Sequence, residues 1–401
     1  MTTAGKRNPG LITFEQALRI IESSAGLPRI EEIPLTKALN RVLAQSVRSD
    51  DDIPPFNKAA MDGYACRRND LGNELLVIEE IPAGKVPVKT IGPGQCARIM
   101  TGAMLPEGAD YILIQEYAGH TASNTIQCVQ QSEHANICYK GEDIKLGETI
   151  LESGTKLLPA QIAILATAGC VLPRVYGLPE IAVISTGDEL VEPDQDPAAG
   201  KIRNSNGIQL VAQIAQQGLH ADYLGILPDN RQALMDKLSA ALQKYDLVMM
   251  SGGVSVGEYD FVPGIIRELQ MEVLIRGINV KPGKHFLLAR KGQHFVAGMP
   301  GNPVSSFVLF EVMVKPLVRK LMGSCEGAVR FRVPLEKTYN RKNSDTLFFI
   351  PVYLTGNGTV QTIEYHGSAH IHAYTGANGI MEVPVGVSEI KEGGMAYVRP
   401  I

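Results

Sequence analysis

Three polar clusters follow directly on short apolar runs, and their residue types suit an anionic ligand. They are Ser185-Thr186-Gly187-Asp188-Glu189, Pro228-Asp229-Asn230, and the loop Ser251-Gly252-Gly253-Val254-Ser255-Val256-Gly257-Glu258-Tyr259-Asp260. In an open parallel sheet, ligands bind outside the carboxyl ends of the strands, so Glu189, Asp229 and Asp260 are expected to converge on one edge. Each carboxylate alone reads as a helix cap or a solvated loop charge. Their shared position at strand ends, beside a glycine-rich loop, points to a site. Glycines at 252, 253 and 257 let backbone approach a ligand closely, and successive N–H groups can cradle phosphate oxygens. The loop matches neither a dinucleotide-binding fingerprint nor a P-loop.

Further along, Lys281-Pro282-Gly283-Lys284-His285 sets two lysines around a Pro-Gly turn, two mobile point charges suited to phosphate or another oxyanion. Pro300-Gly301-Asn302-Pro303 then precedes an apolar helix, with Asn302 as N-cap and Pro303 in the first turn, where exposed N–H groups offer another anion seat. Asp62, Thr101 and Asp143 stand beside glycines in three unusual loops and read locally as turn residues. His366, His370 and His372 suggest a metal, but without a carboxylate or cysteine to complete the ligand set they are read as structural. No Ser-His-Asp or Cys-His arrangement is defensible.

The elements that must position these residues follow from periodicity. Apolar runs at Ile181 to Ile184, Tyr223 to Leu227 and Leu247 to Met250 alternate with helical patterns. One helix is expected from Gly207 to Gln217, capped by Asn206, with Ile208, Val211 and Ile214 inward; another runs from Arg231 to Lys244, capped by Asn230. That alternation means βαβ units and a mostly parallel sheet. A long helix from Pro303 to Met322 closes the unit. Before it, a capping box at Thr13 and Gln16 starts a helix with Phe14, Ala17, Leu18 and Ile21 on one face; helical turns are expected over Leu35 to Ala44 and Pro159 to Cys170. Between them lie short strands (Leu76 to Ile81, Cys96 to Met100, Tyr111 to Gln115, Thr125 to Val129), and the chain after Gly327 is again strand-like. The organisation read here is multidomain α/β plus β. A first helical part to which Pro159 to Cys170 returns, a small β-rich domain from Asp51, an αβ domain from about Leu178 and a separate β domain after about Gly327 are expected.

At 401 residues several domains are expected. A net charge of −4 argues against nucleic acid or an anionic membrane as partner, so any anion must be held by local groups. Six scattered cysteines without a C-x-x-C pair read as reduced thiols, the apolar stretch from Ile162 to Leu172 is too short to span a bilayer, and a cytoplasmic location is expected.

Taken together, the loops resemble the molybdopterin molybdotransferase family (the MoeA type, which includes the E domain of gephyrin). The resemblance rests on Ala60-Met61-Asp62-Gly63-Tyr64-Ala65, Arg98-Ile99-Met100-Thr101-Gly102-Ala103, Gly141-Glu142-Asp143, Ser185 to Leu190, Ser251 to Asp260, Lys281 to Lys284 and Pro300 to Ser305, in the family's order along nearly the whole chain. It implies an elongated, four-part homodimer: residues 1–50 and 144–177 a discontinuous linker domain, 51–143 an inserted β-rich domain, 178–326 a central three-layer α/β domain and 327–401 a C-terminal β barrel. It implies an active site between the β-rich domain of one subunit and the α/β domain of the other. It implies a reaction in which molybdate and adenylylated molybdopterin, delivered by a molybdopterin adenylyltransferase, give molybdenum-loaded cofactor and AMP with Mg²⁺ as cofactor. On that basis Asp62, Thr101, Asp143, Glu189, Asp229, Lys281 and Lys284 are assigned to catalysis. Ser251, Gly252, Gly253, Ser255, Gly257, Pro300, Asn302 and Ser368 are assigned to substrate, and Asp260 with Glu189 to the metal. Four positions depart from the family pattern: Cys138 stands where a basic residue is expected, Gly277 replaces a lysine beside Arg276, His285 a proline, and Ala59 a serine. A diverged, non-catalytic pterin- or nucleotide-binding scaffold is the second reading, and an adenylyltransferase acting one step earlier the third.

Overall fold

Alternation of side chains across one six-stranded sheet organises the middle of the chain. The computed structural model describes residues 11–26, 28–253 and 261–401. The strands run in the spatial order Ala221–Leu227, Ile181–Thr186, Leu247–Ser251, His294–Met299, Leu287–Lys291, Glu272–Arg276. The first four are parallel to one another and the last two pairings are antiparallel, so only Leu287–Lys291 runs against the rest and the sheet is mixed. Ile181, Val183, Leu247, Met249, Phe295 and Ala297 face one apolar cluster, with Leu210 and Ile214 of the helix Ser205–Gln216. Ala182, Ile184, Val248, Met250 and Val296 face the other, against Leu234, Leu238, Ile265 and Ile266. Strands buried on both faces explain the uninterrupted apolar runs. The register pairs Ser185 with Ser251 and Ser251 with Met299, which brings the three following loops to a common edge.

Several sequence expectations are corrected. The first helix of the unit starts at Ser205 with Asn204 as N-cap, whose side chain accepts from the Gly207 N–H; Asn206 lies inside the first turn. The buried face therefore passes through Gly207, Leu210 and Ile214, and Ile208 is exposed. The next helix keeps Asn230 as cap but ends at Ala241. The helix from Pro303 is not continuous: a π-helical stretch, Phe310–Val314, separates Pro303–Leu309 from Lys315–Leu321. Pro316 has no N–H to offer the preceding turn, and buried Glu311 is engaged by Lys315 and Gln213, which together favour the wider turn. Of the helical turns expected over Leu35 to Ala44 only the 3₁₀ turn Leu35–Lys37 forms, because Asn40 takes a positive φ of 63° and the chain then runs extended through Val42 and Leu43.

The helix Phe14–Ser24 has its capping box in place and buries Phe14, Ala17 and Ile21 in the core of the central unit. Each large apolar side chain buried this way contributes about 1.5–3 kcal/mol. The strands Ile30–Glu32 and Val47–Arg48 pair with Arg174–Tyr176 and Thr149–Leu151, and Leu43, Leu157, Leu165 and Val175 pack between them. The intervening chain folds into its own six-stranded sheet, in which Cys66 faces Cys96 across two strands. Burial pushes both thiols up to about 12, so they are inert packing groups. In the C-terminal sheet Phe331–Pro334, Met395–Pro400, Gly379–Val383 and Leu347–Leu354 lie side by side, Val360–Thr362 pairs with the last of these, and Val280–Lys281 joins from the central unit. No helix among the described residues is long and apolar enough to cross a membrane.

Candidate active site

The loops that follow the parallel strands enclose a cavity of about 720 Å³. Its walls include Thr186, Gly187, Glu189, Arg203, Asn204, Ser205, Asn206, Asp229, Ser251, Gly252, Gly253, His285, Pro300, Gly301 and Asn302. Glu189, Asp229, Ser251, Gly252, Gly253, Pro300 and Asn302, all expected from the sequence, are thereby brought together. Ser255, Gly257 and Asp260 lie outside the described residues.

The acidic wall is tied to the strand ends. Thr186 Oγ1 donates to Asp229 Oδ1 at 2.7 Å, and the Asp229 N–H donates to Asp188 Oδ1 at 3.1 Å. The Glu189 carboxylate folds back over Gly187, where a Cβ would stand 2.5 Å from one of its oxygens. The N-terminus of the twelve-residue helix Ser205–Gln216 also opens on the cavity through Asn204, Ser205 and Asn206, and its partial positive charge suits an anion. Arg203 stands beside it, on a short parallel pairing of Leu190–Val191 with Ile202–Arg203, and donates to the Asp196 carboxylate at 3.0 Å and to the Gln195 carbonyl at 3.1 Å. Below, Asn204 Nδ2 donates to Ser185 Oγ and to the Tyr223 hydroxyl, which donates in turn to Glu192. Burial, then the neighbouring Glu192 carboxylate, raises the Tyr223 phenol to about 12, so it stays protonated and holds this support.

Two asparagines bridge loops. Asn206, 8% exposed, donates from Nδ2 to Ser251 Oγ at 3.0 Å and to the Gly301 carbonyl at 2.8 Å. Its Oδ1 is buried without a partner among the described residues, an arrangement that costs about 1–3 kcal/mol. Asn302 occupies the N-cap position as expected, but its side chain does not cap the helix. It donates instead to Ser368 Oγ at 3.1 Å, and the Ser368 carbonyl accepts from the Val304 N–H, which ties the C-terminal segment to the cavity rim and occupies part of the expected anion seat.

The remaining sequence candidates lie outside these walls. Lys281 and Lys284 are exposed on the turn next to His285. Lys281 Nζ stands 5.0 Å from the centroid of the Phe348 ring. Gly283, at φ 107°, presses the turn onto Leu309. Asp62 and Thr101 meet on the inserted domain, where the Thr101 hydroxyl and N–H both donate to Asp62 Oδ1 at 2.6 and 2.7 Å. These two bonds, the hydroxyl first, hold the Asp62 carboxyl below its ordinary range. Asp143 is exposed on a loop anchored to the Ile53 carbonyl. Of the departures, Gly277 cannot be exchanged for lysine without strain: its φ is 85° and a Cβ would meet Leu11 at 2.7 Å. Cys138 lies opposite Lys58 in a strand pair, so a cation does stand at that place. The claim that no carboxylate lies near the C-terminal histidines is corrected, since His366 Nε2 is 3.3 Å from Glu364 Oε1. Arg203, Asn204 and Asn206 were missed as cavity residues; the signal was an Arg-Asn-Ser-Asn run straddling a helix start.

Comparison with known proteins bears on this arrangement. Three family descriptions match in succession: MoeA N-terminal region (domain I and II) over residues 12–169, probable molybdopterin binding domain over 182–320, and MoeA C-terminal region (domain IV) over 335–400. The molybdopterin molybdenumtransferase of Staphylococcus epidermidis is 35% identical over 98% of this chain and 96% of its own length. The chain belongs to the molybdopterin molybdenumtransferase family. Within that family of transferases, the protein of the same name from Staphylococcus aureus is 33% identical over 97% of this chain and 94% of its own. The solved structure of the molybdopterin biosynthesis moeA protein from Pyrococcus horikoshii OT3 superposes with a TM-score of 0.83 at 28% identity, covering 98% of this chain and all of that one. The fold is thus that of the MoeA proteins, with the cavity in the segment matched as the molybdopterin binding domain.

Proposed function

We propose that the chain inserts molybdenum from molybdate into adenylylated molybdopterin and releases AMP in a Mg²⁺-dependent step. The observation that carries this reading is the cavity itself. A helix N-terminus, Ser251, two glycines and Arg203, which is paired with Asp196, line one cavity with Glu189 and Asp229, within a chain of this family. Ser205 and Ser251 would orient a phosphate, with Asn204 fixing the helix start behind them, and the exposed Lys281 and Lys284 would draw molybdate or phosphate to the rim. Glu189, Asp229 and the Thr186 hydroxyl are hard oxygen donors of the kind Mg²⁺ takes, and Asp260 would add a further carboxylate. Bound there, Mg²⁺ would neutralise charge developing as the phosphoanhydride breaks. The substrate would come from a molybdopterin adenylyltransferase, and the reaction belongs in the cytoplasm.

The chain is further read as a homodimer in which a partner subunit supplies Asp62, Thr101 and Asp143. Two observations support that reading. None of the three lines the cavity of its own chain. The helix Pro159–Thr167 is apolar yet buries only Leu165, and nearby Leu39, Leu158, Val171 and Leu172 are exposed. The Leu335 to Val360 bridge, which connects the two ends of the C-terminal strand series, supports its reading as a barrel.

The test is a Mg²⁺ titration of AMP release. Glu189→Gln, which keeps the shape and removes the charge, is expected to raise the Mg²⁺ needed for half-maximal rate by about tenfold, since losing one charge-assisted contact removes about 1.5 kcal/mol. An unchanged Mg²⁺ requirement would remove Glu189 from the metal's ligands, and turnover in the presence of a chelator would remove the metal from the reaction.

A further inference from the structure

Ser251 ends a central strand and lines the cavity, 3% exposed, at the opening of the glycine loop. A serine hydroxyl has one proton to give and two lone pairs to receive. What it offers a ligand depends on which of these the protein uses, and here the choice is fixed by Asn206. The Asn206 amide cannot be turned over, because Nδ2 also faces the Gly301 carbonyl, which only accepts. Ser251 Oγ is therefore an acceptor toward Asn206, and its proton is left for something else. Among the described residues it is given to nothing.

The other groups on this wall tell what that something is. Asn206 sits in the first turn of the helix whose N-terminus opens on the cavity, with Arg203 three positions before it. The positive end of that helix favours an oxyanion over a cation, and Arg203, which is paired with Asp196 at 3.0 Å, adds a cationic side chain to the wall. Asn206 Oδ1 makes no use of its burial, so a leucine would pack there without an orphaned acceptor; the two donations from Nδ2 are what the asparagine adds. A second asparagine, Asn302, makes the same kind of donation to Ser368 on the opposite rim.

We propose that Asn206 is a positioning residue that, by donating to Ser251 Oγ, commits the serine proton to a phosphate oxygen of the ligand. It touches no substrate itself; it sets the direction of a hydroxyl that does, and through Gly301 holds the facing loop at the matching distance. This rests on the anion-binding reading of the cavity given above and adds the device that gives the cavity its preference for phosphate.

ADP and adenosine, titrated calorimetrically into the full-length protein, separate the two. The unaltered chain is expected to bind ADP at least about tenfold more tightly than adenosine. Asn206→Ala and Ser251→Ala should each remove that preference with adenosine affinity unchanged. Asn206→Ala combined with Ser251→Ala should lose no more than either alone, because both act on one hydrogen bond. Asn206→Leu, matched in shape, gives the same readout should the alanine variant fold poorly. Losses that multiply in the double variant, or a preference retained in Asn206→Ala but lost in Ser251→Ala, would overturn the proposal. So would a parallel fall in adenosine affinity, which marks a merely structural role. An unaltered chain that binds ADP and adenosine equally would instead overturn the anion-binding reading of the cavity.

Discussion

Gly252→Ala is expected to lose AMP release by more than about a hundredfold and about 3 kcal/mol of stability, the largest effect of any single methyl group on this site. The reason is geometric. Gly252 lies at φ 96°, a conformation that costs an L residue strain, and an added Cβ would stand 2.3 Å from the Thr186 carbonyl oxygen. Neither side can give. Thr186 belongs to the neighbouring strand, and the Gly252 N–H is bonded to the Met299 carbonyl on the other side. Relief would require opening the edge where Thr186, Asp229 and Ser251 meet, so binding and stability should fall together. Gly264→Ala is the control: it lies in the helix Val262–Glu268 at ordinary φ with nothing within 4 Å of the added carbon. That change is expected to be neutral or to stabilise by about 0.5–1 kcal/mol. Urea unfolding of both variants, read beside turnover, checks the pair.

Arg399→Met should destabilise the chain by about 3–5 kcal/mol while leaving the cavity residues untouched. Arg399 and Glu382 are 6% and 7% exposed, on adjacent strands of the C-terminal sheet, and Arg399 Nε donates to Glu382 Oε1. The guanidinium also lies 5.3 Å from the Phe14 ring, so it joins this sheet to the N-terminal helix. Removing the arginine leaves a buried carboxylate whose other cation, Arg330, is half-exposed at 3.5 Å. Replacing both partners, Glu382→Leu with Arg399→Met, should recover most of the loss, because the penalty comes from the unpaired charge rather than from the absence of a bond. Equal losses in the single and double variants, measured by chemical denaturation, would contradict this.

How much of this was legible in the sequence depended on range. The runs Ile181 to Ile184 and Leu247 to Met250 could be read as buried strands because both faces of a parallel sheet are covered, so no polar residue interrupts them. The capping box at Thr13 and the cap at Asn230 are local and were found where they stand. In Arg203-Asn204-Ser205-Asn206 two asparagines compete for one cap, and local pattern cannot rank them; the tertiary bonds of Asn206 to Ser251 and Gly301 decide. Misplacing that cap also turned Ile208 inward. The π-helical stretch was out of reach for a similar reason, since it depends on Gln213 from another helix meeting Glu311. Glu189, Asp229 and the start of the glycine loop, Ser251 to Gly253, were assigned from the general rule for open sheets, and the structure collects them; the rest of that loop lies outside the described residues. Lys281 and Lys284 were read by residue type alone, but where their side chains lie is set by Phe348 and by the clamp of Gly283 on Leu309.

The central claim is most directly tested by incubating the full-length protein with adenylylated molybdopterin and Mg²⁺, with and without molybdate, and measuring AMP. AMP is expected only when molybdate is present, in an amount equal to the molybdenum recovered in the pterin. Release without molybdate, or tight binding of the substrate with no release in either case, would contradict it.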